Sequence, residues 1–190
     1  MSAMAGDPAP ERLARLYRDK ARAEITDAEG LAGAGEMVRP AGDELADVML
    51  LKGEPGPEDI EASRVLAGAD GEAADKALDA LGLSPARFAA CTRASDSGGE
   101  PRSDRLRLLV EAVDPRVIVA LDPVAAADLA AAYEVEVPPA GRLARMNGRD
   151  VVALDGLQAS LGDEALKRRV WRQLQALKTT AAADTHRGRP

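Results

Sequence analysis

Residues suited to chemistry are few in this chain, and they fall in two places. Gly53-Glu-Pro-Gly56 directly follows a short apolar run. Glycines in such a turn let the backbone approach a ligand, and successive N–H groups can form an anion nest. Glu54 supplies a carboxylate able to position water. The competing reading is a tight surface turn carrying a solvated acid. The spacing is neither Gly-x-Gly-x-x-Gly nor a Walker loop, which excludes those phosphate sites. The second place is Lys167, Arg168, Arg169 and Arg172, a cluster of positive charge within two helical turns. These are possible phosphate contacts; the bland alternative is a solvated face, opposed at its start by Asp163 and Glu164. Trp171 lies between the apolar spacings and reads as a packing anchor rather than a base-stacking platform.

Other reactive groups are scarce. Cys91 sits inside a strand candidate and reads as a small buried hydrophobe. The single histidine, His186, falls in a polar tail, so general-base chemistry at neutral pH has few candidates. One cysteine supplies neither an internal disulfide nor the thiolates of a zinc or iron–sulfur site. No metal and no cofactor are expected.

Short elements must position these residues. Pro10 to Ala23 reads as a helix, with Leu13, Leu16 and Tyr17 at i, i+3 and i+4 as its apolar face. Residues 30–42 read as loop. Asp47-Val-Met-Leu-Leu51 is a buried-strand candidate that stops at the prolines and glycines of Lys52 to Pro57. Gly71 to Leu81 is a helix with Gly82 suited to its C-terminal cap. Phe88 to Thr92 is a strand candidate, 94–102 a polar loop, and Ser103 or Asp104 caps a helix running through Val113. Arg116 to Leu121 is continuous and β-branched, as a strand covered on both faces should be. Pro123 to Tyr133 is an alanine-rich helix, 135–148 reads as loop, and Asp150 to Leu154 is a strand. A last helix starts at Asp163 or Glu164 and runs through Leu177. Strands alternating with helices predict a parallel sheet with helices on both faces. Ligands bind such sheets beyond the carboxyl ends of the strands. The loops after the strands, beginning at Lys52, Arg93, Asp122 and Asp155, are therefore the ones to inspect.

The composition bounds the rest. With 190 residues, 46% hydrophobic and 30% charged, the chain can bury one core and is not disordered by composition. The expected organisation is a disordered lead over 1–9, one α/β domain over 10–178 and a disordered tail over 179–190. Alanine contributes 39 residues, whereas Tyr17, Phe88, Tyr133 and Trp171 are the whole aromatic complement. That leaves little for a base-stacking surface, which needs rings. A formal net charge of −7 withholds the phosphate neutralisation that drives non-specific nucleic-acid binding. No apolar run reaches the roughly 18 residues of a membrane span, and the start lacks the order of a signal peptide. A soluble cytoplasmic protein is expected. Arginine outnumbers lysine 20 to 5, which fits a GC-rich genome.

The order of these pieces resembles the uracil-DNA glycosylase superfamily, in particular its bacterial iron–sulfur branch. There a strand runs into a Gly-Glu-Ala-Pro-Gly turn; Leu50 to Gly56 is similar with the alanine deleted. Ser63 to Gly71 and Leu81-Gly-Leu83 are similar in spacing to the family's next stretch and helix end. Phe88 to Cys91 falls on its Tyr-Ile-Thr-Asn strand, and Asp114 to Leu121 resembles its proline-preceded third strand. Val151 to Leu174 lines up without a gap on the closing strand, His-Pro turn and Lys-x-x-x-Trp helix. The resemblance covers about Asp47 to Lys178.

The resemblance implies a three-layer α/β/α fold with a short parallel central sheet. It also implies base-pocket equivalents at Gly53, Glu54, Pro55, Gly56, Leu66, Cys91, Gly156 and Leu157. The family's His-Pro pair falls on Gly156-Leu157, its uracil-reading asparagine on Cys91 and its stacking phenylalanine on Leu66. The cluster cysteines are missing. Only Glu54 keeps a site-type side chain. A glycosylase must flip a base, read its edge, sandwich it against a ring and stabilise the departing anion. The losses imply a pseudoenzyme that binds a protein, or DNA, in a repair or replication assembly. The acidic balance favours a protein partner over autonomous DNA binding. The alternatives are an active glycosylase of altered base specificity using Glu54, or an unrelated α/β protein binding a nucleotide or small molecule.

Overall fold

The computed structural model describes residues 8–32, 38–83, 86–93 and 102–178. The segment 94–101, most of the expected polar loop, and His186 with the rest of the tail lie outside the described residues.

Strand alternation builds the sheet. Helix α1 (Pro8–Gly30) and the two-residue strand β1 (Ala41–Gly42) precede β2 (Val48–Lys52). The crossover to β3 (Arg87–Cys91) carries α2 (Pro57–Ala62) and α3 (Ala69–Ala80). Then follow α4 (Ser103–Val113), β4 (Val117–Ala120), α5 (Pro123–Tyr133), β5 (Ala144–Met146), β6 (Arg149–Ala153), α6 (Leu157–Ser160) and α7 (Glu164–Leu174). A 3-10 turn, Gln175–Leu177, prolongs α7. Among the described residues six strands form one mixed sheet in the order β1-β3-β2-β4-β6-β5. The four inner strands run parallel, while β1 and β5 pair antiparallel at the two edges.

Successive side chains of a strand point to opposite faces, and both faces here are apolar. Val48, Leu50, Val117, Val119 and Val152 pack with Leu78 of α3 and with Val170 and Leu174 of α7. Met49, Leu51, Ile118, Ala120 and Val151 pack with Leu109 of α4 and Leu129 of α5. Burying both faces is what allows near-continuous apolar strands.

Several local expectations shift. Helix α1 starts at Pro8 and reaches Gly30, and its Leu13, Leu16 and Tyr17 are exposed. Ala21 and Ala28 are the buried positions instead. The cap of α4 is Arg102, which makes no capping bond with its side chain, so Ser103 and Asp104 lie inside the first turn. The loops expected over 30–42 and 135–148 contain the short strands β1 and β5, and α2 and α6 are additional short helices of six and four residues. Gly82 does close α3: at φ +69° it lets the Leu83 N–H donate to the Leu78 carbonyl at 3.1 Å. No helix among the described residues is long and apolar enough to cross a membrane.

Candidate functional site

Parallel register aligns the strand ends. Lys52 of β2 sits opposite Cys91 of β3, Leu51 opposite Ala120 of β4, and Ala120 opposite Ala153 of β6. The chain order of the inner strands reverses at β2, which has β3 on one side and β4 on the other. Such a reversal opens a crevice beyond the carboxyl ends. A cavity of about 480 Å³ lies there, lined by Lys52 at the end of β2 and Glu54 just beyond it, Asp122 and Val124 after β4, and Asp155 and Gly156 after β6. That size is ordinary for a small-molecule site. The turns at Gly53–Pro57 and Asp155–Gly162 thus share one edge of the sheet although about 100 residues separate them in the chain.

Beside the cavity is a buried charge cluster. Lys52 continues the inward face of Val48 and Leu50, so its side chain runs toward α2 and α3. Its Nζ donates to Asp59 Oδ2 and to Asp70 Oδ2, each at 2.6 Å. Lys52, Asp59 and Asp70 are all buried. The Gly56 N–H also donates to Asp59 Oδ2 at 2.9 Å, and the Ala67 N–H to Asp59 Oδ1 at 3.0 Å. Burial alone would lower the Lys52 pKa, but the hydrogen bonds to Asp59 and Asp70 outweigh it and hold the ammonium above its ordinary value. Burial would likewise raise Asp59; the bonds from Lys52, Ala67 and Gly56 hold it below the ordinary carboxylate value. A Cβ on Gly56 would stand 3.0 Å from Gln158 Nε2 and 3.2 Å from Lys52 Nζ, so glycine leaves space for both polar heads.

A second network locks the loops. Asp122 caps α5 by accepting from the Ala125 N–H at 2.8 Å, and its other oxygen accepts from the Gly53 N–H at 2.9 Å. Thr92 donates to Asp128 Oδ2 at 2.6 Å, and Arg93 grips the same carboxylate through Nε and Nη2 at 2.8 and 2.9 Å. Glu54 is largely exposed, with Arg93 Nη1 at 3.6 Å from its Oε1.

The expected site residues therefore separate. Glu54, Gly156 and Leu157 line the cavity. Gly53, Pro55 and Gly56 form the turn behind it. Cys91 is buried in the core, and burial followed by the nearby Asp59 charge pushes its thiol up to about 12. Leu66, at φ +53°, is also buried and lines a different cavity, with Gly42, Arg64 and Arg87 at the amino end of β3. Lys167, Arg168, Arg169 and Arg172 are exposed along α7 on a groove shared with α3, and Arg169 reaches Asp155 of the cavity at 3.5 Å. Sequence reasoning missed Asp59, Asp70 and Asp128, and placed Lys52 only in a turn. The two-residue period from Val48 to Lys52 was the available signal for a lysine on an inward face.

Chemically, the cavity lining presents Glu54, Asp70, Asp122 and Asp155 against the Lys52 ammonium, with Arg93 beside Glu54 at 3.6 Å and Arg169 beside Asp155 at 3.5 Å. Both oxygens of Asp122 are engaged by backbone N–H groups, and those of Asp70 by Lys52 and the Gly71 N–H. Glu54 is left as the carboxylate most open to water. The lining disfavours an anionic ligand, because a phosphate would approach surplus negative charge. Among the described residues no group of three or more His, Cys, Asp or Glu is placed to hold a metal ion. No family model matches the chain, and no curated protein matches it.

Proposed function

We propose that this chain is a degenerate relative of the uracil-DNA glycosylases, a three-layer α/β/α module that binds a protein partner in a DNA repair or replication assembly and excises no base. The observation that carries this reading is Gly156. It stands at the cavity lip, at the position where the resemblance puts the family's histidine, with φ +140° and ψ +100°. Only glycine adopts that backbone readily, so a donor side chain is absent and also poorly accommodated. Burial of Cys91 and Leu66 outside the cavity supports the same reading, since neither offers an edge or a ring to a base there. The acidic lining and the net charge of −7 speak for a protein partner over the phosphate backbone.

An excision assay on single- and double-stranded uracil-containing DNA tests the proposal. No release is expected under conditions where an active relative turns over. Robust release abolished by Glu54→Ala would replace it with an active enzyme using that carboxylate. The cavity's size favours one second reading, a small-molecule site. A thermal-shift series contrasting uncharged nucleosides with nucleotides tests it, and stabilisation by a nucleoside would promote it.

A further inference from the structure

Among the described residues a larger concavity borders the strand-end cavity, with Leu157 lining both. A groove of about 1120 Å³ runs between α3 and α7, with α6 at its side. Ala69, Ala73 and Ala77 recur every four residues along the α3 wall, and Leu161, Val170 and Trp171 line the other side. The volume exceeds the usual range for a small molecule and is open along its length. Its walls match a helix: α3 has 12 residues, about 18 Å. Small alanines on one wall let a second backbone come close, and Leu161 is an exposed apolar side chain.

The charge around this groove opposes that of the whole chain. Lys76, Lys167, Arg168, Arg169 and Arg172 line it against only Glu72 and Glu164. Those two acids are already engaged, Glu72 with Lys76 and Glu164 with Lys167, each at 3.4 Å. Arg169 reaches Asp155 at 3.5 Å and Arg168 Nε donates to the Glu164 carbonyl at 3.1 Å, so the surplus charge rests on Arg168 and Arg172, on a protein whose net charge is −7.

We infer that the α3–α7 groove docks an acidic amphipathic helix of a partner protein. The inference rests on the reading of this chain as a partner-binding module and says where and what it binds. Helix-in-groove recognition uses apolar anchors at i, i+3, i+4 and i+7, and complementary charge on the rim steers association and fixes register. The rim sign argues against a second copy of this chain. The exposed apolar stripe of α1, Leu13, Leu16 and Tyr17, is interleaved with Arg12, Arg15 and Arg18 and would meet like charge. Residues 179–190 carry Arg187 and Arg189 against Asp184, again the wrong sign. An apolar floor gives a phosphate backbone nothing to pair with, which places nucleic acid second.

The probe is a designed acidic helix of about three turns, leucines at i, i+3, i+4 and i+7 and glutamates on the flanks, titrated calorimetrically into the full chain. Its twin carries lysine for every glutamate, and a single-stranded oligonucleotide is the third ligand. The acidic peptide is expected to bind, and the other two are not. Arg168→Glu with Arg172→Glu should weaken binding by about tenfold or more. Leu161→Ser should weaken it with the charged rim intact. These are surface changes, and matching melting curves verify the folds. Equal binding of the two peptides, undiminished binding by the charge-reversed variant, or no binding of the acidic peptide overturns the inference. Oligonucleotide binding lost in that variant also overturns it, assigning the rim to nucleic acid. Uracil excision is a separate readout: a failed titration without excision removes only the groove, whereas excision removes the functional reading itself.

Discussion

At the scale of single residues, Lys52 is the most consequential side chain. Replacing it with Met leaves Asp59 and Asp70 buried without their cation, and one-sided removal of a buried pair typically costs about 3–5 kcal/mol. Urea unfolding of Lys52→Met should show a loss of that order. The pH dependence has two ends. Asp59 is depressed in the folded state, so its contribution is full above the ordinary carboxylate value of 3.8 and is lost as pH falls through its lower folded value. Lys52 is raised, so its contribution is full below 10.5 and is lost as pH rises through its higher folded value. Stability measured against pH should therefore be flat between these limits with respect to this cluster; a decline between pH 5 and 9 that Lys52→Met abolishes would refute that assignment. Cys91, raised to about 12 and buried, should resist iodoacetamide in the native protein and react only on unfolding. Gly156→His should cost about 1–3 kcal/mol, because φ +140° is hostile to any side chain, and should not revive excision.

At the scale of elements, α1 carries a clear contrast. It has 23 residues, about 35 Å of helix, against five-residue strands of about 17 Å. Its first half is exposed, with Leu13, Leu16 and Tyr17 on the surface, and the helix packs against α4. Serine at Leu13, Leu16 or Tyr17 should change stability by no more than about 0.5 kcal/mol each, as for other surface positions. Ala28→Leu, in the buried half that packs against α4, should destabilise by about 1–3 kcal/mol through overpacking. Thermal melts of the four variants check this; a large loss at Leu16 would mean that the exposed half is covered in solution. The same geometry explains what the sequence could and could not reveal. The apolar spacing of Leu13, Leu16 and Tyr17 announced a helix correctly, but periodicity says which residues share a face, not whether anything covers it. The inner strands were legible because burial on both faces demands unbroken apolar runs. Strands β1 and β5 and helix α6 were not, since two to four residues are too few to show a period. Asp59 and Asp70 were invisible for another reason: the crossover from β2 to β3 carries them back to Lys52, and neither separation along the chain matches a local pattern.

At the scale of the whole molecule, the charge distribution separates the two concave surfaces. The cavity at the strand ends is acidic and the α3–α7 groove basic. Raising ionic strength should therefore weaken occupancy of the groove, because its rim is exposed and screened by salt; calorimetry of the acidic helix at low and high salt measures this, and an unchanged affinity would assign the binding to the apolar floor alone. The tryptophan count of one has a further consequence, because Trp171 is half-buried in that groove and packs against the core beneath it. Its indole emission is a reporter that the chain carries unlabelled. A ligand that covers the ring and removes its water should shift the emission to the blue, whereas unfolding should shift it to the red. Occupancy of the groove and integrity of the core thus become two opposite colour changes of the same chromophore.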